Sequence, residues 1–279
     1  MVVDVQSIVE KKEVEIRDKI IKNNLTPKLV VILANDLDSS KSYVLSKRRK
    51  TEALGILQEE YIYTEDVTEE EIIDKINELN KDETVNGILI QLPLYPHLNE
   101  DKILNAVDIN KDVDGFTTYN LGRLINDKCN VIPCTPKGIC LILDELNTNV
   151  EGKNVVILGR SKIVGRPLAE LMISKGATVT ICNSKTKNIE HYTKNADILI
   201  VAIGKAKYIT SNMIKENSII IDVGINRENG KIVGDVDTEN IKNLVKYVTP
   251  VPSGVGLTTV ISLMDNLVNF TLGNKKEDF

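Results

Sequence analysis

From Thr26 onward, short apolar runs rich in β-branched residues alternate with longer amphipathic stretches, the pattern of βαβ units and parallel sheet. LVVILA (Leu29–Ala34) predicts a strand ended by Asn35 and Asp36, followed by a helix from about Ser40 to Leu54. EYIYT (60–64) predicts a second strand. Thr68 and Glu71 then form a capping box, opening a helix whose Ile72, Ile73, Ile76 and Leu79 share one face. NGILIQL (86–92) is the next strand, ended by Pro93, but no period is clear between KDVDG (111–115) and IPCTP (132–136). A helix is expected from Lys137 to about Leu146. After it, NVVIL, a glycine-bearing loop, a helix to Lys175, ATVTIC, a polar loop, ADILIVAIG and SIIIDVGI predict a doubly wound sheet. A closing helix is expected over Leu257–Leu272, with a frayed end at Asn274–Phe279. The class is therefore α/β.

Composition narrows the picture. The 279 residues suffice for two ordinary domains, and 42% apolar with 27% charged is a globular balance. A net charge of −5, from 35 basic and 40 acidic residues, argues against a nucleic-acid partner. No uninterrupted apolar run reaches the ~18 residues of a membrane span, and the charged start lacks a signal peptide's apolar core. A cytoplasmic protein is expected. Cys129, Cys134, Cys140 and Cys182 form no C-x-x-C pair, and only His97 and His191 could join them, so no metal site is expected.

Two motifs carry chemistry. Gly159-Arg160-Ser161-Lys162-Ile163-Val164-Gly165 follows a predicted strand and precedes a predicted helix, where glycines admit a pyrophosphate and the helix start supplies N–H donors. Ser161 stands where G-x-G-x-x-G has its second glycine, so a plain strand-to-helix turn remains an alternative. The next strand ends in Asn183-Ser184-Lys185, without the carboxylate that an NAD site uses on its ribose. Arg160 and Ser184, with Lys185 as a further candidate, suit a 2′-phosphate instead, which favours NADP over NAD. The second motif is Tyr43-x-x-x-Lys47, one helical turn apart on one face. It offers a stacking ring beside an amine that burial would bring toward neutrality. The run Lys47-Arg48-Arg49-Lys50 also reads as an ordinary solvated helix face.

Together the chain closely resembles the bifunctional methylenetetrahydrofolate dehydrogenase/methenyltetrahydrofolate cyclohydrolase family. The resemblance rests on S-x-x-Y-V-x-x-K (40–47), NGILIQLPL (86–94), KDVDG, PCTP (133–136), GRSKIVGRP (159–167), IDVGI (221–225), GDV (234–236) and TPVPSGVG (249–256), in the family's order over nearly the whole chain. It implies an N-terminal folate-binding domain over 1–136, completed by 249–279, and a Rossmann-like NADP domain over 137–248. It also implies NADP-dependent oxidation of 5,10-methylenetetrahydrofolate, then hydrolysis to 10-formyltetrahydrofolate.

Lys47 would mediate the proton transfers, Gln91 would hydrogen-bond Lys47 and folate, Tyr43 would stack, and Asp114 would accept from the aminopyrimidine. Pro252 and Gly256 are further substrate candidates, and Thr135, Gly159, Arg160, Ser161, Gly165, Ser184 and Ile225 cofactor candidates. Each has a plainer alternative: Gln91 as a strand cap, Asp114 as a turn residue, Tyr43 as packing. Arg48, Arg49 and Lys50 would attract a polyglutamylated folate tail, and a homodimer through the nucleotide domain is implied.

Three departures stand out. Ser253 and Leu257 replace a glycine and a proline of the family's TPVPGGVGPMT, Asn183 replaces a histidine, and Ala34 or Asn35 replaces a glycine. Two other readings stay open: a monofunctional dehydrogenase, NAD-linked as in some relatives, and a non-catalytic nucleotide-binding regulator.

Overall fold

The computed structural model describes residues 1–276. Helix α1 (Val5–Lys22), strand β1 (Lys28–Leu33), helix α2 (Asp38–Leu54), strand β2 (Leu57–Ile62), helix α3 (Glu69–Lys81) and strand β3 (Gly87–Gln91) come first. Helices α4 (Glu100–Ala106), α5 (Thr118–Ile125) and α6 (Cys134–Glu145) follow. Next are β4 (Asn154–Leu158), α7 (Gly165–Ser174), β5 (Thr178–Cys182), α8 (Ile189–Thr193), β6 (Ile198–Val201) and β7 (Ile219–Asp222). The hairpin of β8 (Asn226–Glu228) and β9 (Lys231–Val233), then α9 (Thr238–Ile241), β10 (Tyr247–Val248) and α10 (Val255–Lys276), complete the chain.

Two compact units result. One holds residues 11–134 with the chain from Val260 onward; the other holds 1–10 with 135–259. The expected division, 1–136 with 249–279 against 137–248, thus shifts at both ends. Val2 pairs with Val248, and Val3 N donates to Val248 O at 2.9 Å, so the N-terminus joins the second unit's sheet edge. The Thr249 hydroxyl accepts from Asp222 N at 2.8 Å, which draws the 249–256 loop into the same unit.

In the first unit, three parallel strands lie in the order β2-β1-β3. Central β1 is buried throughout Leu29–Leu33, and its Val30 and Ile32 pack with Ile72, Ile76 and Leu79 of α3 and with Ile103. Burying each such side chain stabilises by roughly 1.5–3 kcal/mol. The capping box is present, with Glu71 N donating to Thr68 Oγ1 at 3.2 Å and Thr68 N to Glu71 Oε2 at 2.8 Å. Ile88 N donates to Lys111 O at 2.7 Å, placing the KDVDG segment alongside β3.

The second unit has five parallel strands in the order β10-β7-β6-β4-β5. Counting its strands along the chain, that order is 2-1-3-4-5 from the β5 edge, with a topological switch between β4 and β6.

Some elements depart from the sequence expectation. Helix α1 was not expected, although Val5, Ile8, Val9, Ile16 and Ile20 bury one face of it. Helix α5 lies in the segment without a clear period. Helix α6 starts at Cys134 rather than Lys137, with Pro136 in its first turn, where a missing N–H costs nothing. Strand β2 starts at Leu57, three residues before EYIYT. The β8–β9 turn has Asn229 and Gly230 at φ 51° and 76°, the left-handed pair a tight hairpin requires.

Helix α10 is longer than expected. Its stretch Val255–Gly273 is long and apolar enough to cross a membrane by length and composition, but 67% of that window is buried inside the protein. Ser, Thr, Asp and Asn interrupt the apolar run, which hides its length from a simple scan. Of the end expected to fray, residues 274–276 continue the helix, and 277–279 lie outside the described residues.

Candidate active site

Helix α2 buries Ser40, Val44, Lys47, Thr51 and Leu54, at alternating steps of four and three. Lys47 therefore sits in the row that ordinarily carries only apolar side chains, at 8% exposure. A buried lysine needs a partner, and Gln91 at the end of β3 supplies one: Lys47 Nζ donates to Gln91 Oε1 at 2.8 Å. Gln91 Nε2 in turn donates to Leu92 O at 2.9 Å, fixing which end of the amide faces the amine. Burial lowers the Lys47 pKa, and the negative charge of Asp114 resists that shift. The Asp114 carboxyl is pushed up by its own burial, with Lys47 and the Cys134 thiol opposing.

The two aspartates of KDVDG have separate tasks. Asp112 is buried and accepts from Phe116 N at 3.1 Å, Thr117 N at 2.9 Å and Asn120 Nδ2 at 2.9 Å. It is the turn-former. Asp114 is released from that work and lies within electrostatic reach of Lys47. Lys111 pins the start of the segment by donating to Leu79 O, Asn80 O and Asp82 O at 2.8–3.0 Å.

Two residues join this cluster that the sequence reading passed over. Cys134 Sγ lies 3.5 Å from Val113 O and hydrogen-bonds Asp114. Asn266 Nδ2 of α10 donates to Val113 O and Ile132 O, both at 2.9 Å. The signal for Cys134 was its place in PCTP; the Asp265-Asn266 pair inside a largely apolar stretch was the signal for Asn266. Tyr43, half-buried one turn before Lys47, has its phenol pKa raised by desolvation.

The neighbouring basic run is largely self-compensated. Arg48 forms a two-pronged pair with Glu60, with Nε donating to Oε1 at 2.9 Å, and Lys50 pairs with Glu13. That run is therefore not three uncompensated cations awaiting an anionic tail.

The other candidates lie in the second unit. Gly159 has φ 120°, and a Cβ there would stand 2.3 Å from Ala202 O; one on Gly165 would stand 2.1 Å from Gly159 O. Only glycine lets the loop after β4 close against the start of α7. Ser161 Oγ accepts from Val164 N at 3.1 Å, capping that start where the usual motif has glycine. Gly159 N donates to Cys182 O at 2.9 Å, which brings exposed Arg160 toward the end of β5. There Asn183 Oδ1 accepts from Lys185 N at 3.0 Å and shapes the turn presenting exposed Ser184.

Thr135 Oγ1 accepts from Thr259 at 3.2 Å, and Ile225 is 49% exposed just before β8. Pro252 follows a cis peptide bond, and Gly256 lies in the first turn of α10. Both belong to the second unit, not to that of Lys47. Ser253 adopts φ 69° despite its side chain, and in the loop before α2 Asn35 Oδ1 accepts from Leu37 N at 3.0 Å while its Nδ2 donates to Pro93 O at 2.6 Å.

A parallel sheet with a glycine loop at its switch point, together with a unit built around a buried amine, defines a dinucleotide-linked enzyme equipped for acid–base chemistry. Comparison with known proteins makes this specific. Residues 3–114 match the tetrahydrofolate dehydrogenase/cyclohydrolase catalytic domain, and residues 133–275 match that family's NAD(P)-binding domain. The chain belongs to the tetrahydrofolate dehydrogenase/cyclohydrolase family.

Among relatives, the bifunctional protein FolD of Ligilactobacillus salivarius is 50% identical over 248 residues, 88% of this chain and 87% of the relative. The bifunctional FolD crystal structure from Campylobacter jejuni is 41% identical, with a TM-score of 0.95 over 98% of this chain and 99% of that one. The Trypanosoma brucei dehydrogenase-cyclohydrolase, solved with NADP and an inhibitor, is 29% identical with a TM-score of 0.94, covering 99% and 98%.

Proposed function

We infer that the protein is a bifunctional folate one-carbon enzyme, oxidising 5,10-methylenetetrahydrofolate with NADP+ to the methenyl form and hydrolysing that to 10-formyltetrahydrofolate. The observation that carries the reading is the buried Lys47 amine donating to Gln91 at 2.8 Å within reach of Asp114. Hydrolysis of a methenyl cation needs a base for the incoming water and an acid for the departing ring nitrogen. Neutral Lys47 takes a proton from water as the carbon–oxygen bond forms. The ammonium returns a proton to the ring nitrogen as its carbon–nitrogen bond opens, and the remaining hydroxyl proton leaves to solvent. The cationic substrate itself disfavours a second positive charge on Lys47, adding to the effect of burial. Gln91 holds the amine in place, Tyr43 stacks on the folate ring system, and Asp114 accepts from the aminopyrimidine N–H groups.

NADP+, when bound, supplies the hydride acceptor for the first step. The second unit fits it: Gly159 and Gly165 leave backbone where side chains would stand, beside the positive N-terminal end of the α7 dipole. Gly159, Ser161 and Gly165 serve the pyrophosphate, Arg160 and Ser184 the 2′-phosphate, and Thr135 and Ile225 are further cofactor contacts. Pro252 and Gly256 serve the folate. We further assign a homodimer through the β5 edge of the nucleotide unit, where Ile173 and Ile181 are 53% and 37% exposed, and a cytoplasmic location.

Two reactions followed by methenyltetrahydrofolate absorbance test this. Methylenetetrahydrofolate with NADP+ should form it faster than with equal NAD+, and added methenyltetrahydrofolate should disappear faster with enzyme than without. Formation without accelerated loss would leave a monofunctional dehydrogenase; no turnover in either would leave a binding role.

A further inference from the structure

The second unit buries two aspartates that no step above uses, one each in IDVGI and GDV. Asp235 is fully buried and accepts four hydrogen bonds. Ile203 N and Gly204 N reach Oδ2 at 2.7 and 2.9 Å, while Lys205 N and Asn226 Nδ2 reach Oδ1 at 2.7 and 2.9 Å. Three consecutive amides of the loop after β6 therefore converge on one carboxylate.

Asp222, at the end of β7, fixes that carboxylate in turn. Its oxygens accept from Gly224 N, Asp235 N and Val236 N, each at 3.0 Å. The fit is close on both sides: a Cβ on Gly224 would stand 2.2 Å from Asp235 Cγ, and one on Gly234 would stand 1.8 Å from Asp222 Oδ2.

The held loop adjoins the switch point. It follows Ala202, whose carbonyl fills the space where Gly159 would carry a side chain, so its shape bears directly on the glycine loop. Three converging amides are also a ready anion site, one that would compete with the α7 start for a cofactor phosphate. Asp235 occupies it from within.

We propose that Asp235 is a positioning residue for NADP, its carboxylate shaping the Ile203–Lys205 loop at the β4–β6 switch and filling that loop's amide nest. This rests on the NADP-dependent reading above, deepening it with residues that do not themselves touch the cofactor. Asp235→Asn keeps the size and one acceptor oxygen but turns an amino group toward the loop amides. By calorimetry, its NADP+ dissociation constant should rise about tenfold, and KM for NADP+ should rise with it. The kcat at saturating NADP+ should stay within about threefold, which a merely structural role would not select. Continued hydrolysis of methenyltetrahydrofolate, which consumes no dinucleotide, reports that the variant is folded.

Unchanged NADP+ affinity in the folded variant overturns the proposal. Should Asp235→Asn fail to fold, Asn226→Ala decides: removing one of the four bonds should raise the dissociation constant two- to threefold, and no change overturns the proposal. A parent protein that binds no NADP+ at all overturns the functional reading itself, and this proposal with it.

Discussion

The two units solve their chemical problems with different materials. The unit of Lys47 works through side chains: a buried amine and thiol with a half-buried amide and carboxylate, linked to one another by hydrogen bonds and charge. The nucleotide unit works through backbone, with glycines where a Cβ would collide and carboxylates turned inward to organise loops. A side-chain site concentrates function in single residues whose loss selects one reaction. A backbone site distributes it, and its residues affect shape first.

Lys47→Met should break the comparison most sharply. Removing the amine should cost hydrolysis at least about a thousandfold, within the range for a general acid–base group, while dehydrogenation stays measurable. Gly159→Ala is the counterpart in the other unit. Its φ of 120° and the 2.3 Å approach to Ala202 O should weaken NADP+ binding about a hundredfold, the strain alone being about 1–3 kcal/mol. Calorimetry with NADP+ checks it; near-parental affinity would mean the loop has slack.

Asp114→Asn should raise KM for folate roughly ten- to a hundredfold, the loss of a charged acceptor worth about 1.5–3 kcal/mol. Steady-state kinetics at saturating NADP+ would show it, and an unchanged KM would return Asp114 to a turn role.

The pH dependence sharpens the contrast further. Burial lowers the Lys47 pKa, so the neutral amine is lost as pH falls through that value. Hydrolysis, corrected for its uncatalysed rate, should fall up to tenfold per pH unit below that point. Dehydrogenation should follow no such limb. A hydrolysis rate that shows no acid limb at any pH where the protein stays folded would remove Lys47 from the proton transfers.

Smallest is Ser253→Gly. Serine there holds φ 69°, a conformation that glycine enters without penalty, so the change should raise Tm by roughly 1–3 °C. A lower Tm would show that the serine hydroxyl makes up for its strain.

Much of this was legible in the chain because local rules and tertiary demands agree there. Strand β1 is a continuous apolar run from Leu29 to Leu33 because both its faces are buried, and Thr68 with Glu71 announces α3 through a local bond pair. The four-residue step from Tyr43 to Lys47 places them on one face of α2 whatever surrounds it. What escaped depends on partners far along the sequence. Helix α5 buries only Asn120 and Leu124 and is anchored through Asp112, so no apolar period marks it. Asn266 acts on Val113 and Ile132, more than 130 residues away, inside a helix whose composition signals only core. The Asn229-Gly230 hairpin signal was present but sat between short, polar strands.

The most direct test of a single lysine dividing two reactions is one time course. Lys47→Met is mixed with methylenetetrahydrofolate and NADP+, and NADPH and methenyltetrahydrofolate are read together. Methenyltetrahydrofolate should accumulate nearly one-for-one with NADPH, where the parent passes it on to 10-formyltetrahydrofolate. A folded variant that makes neither, or that still clears the methenyl compound at the parent's rate, would contradict the assignment of Lys47.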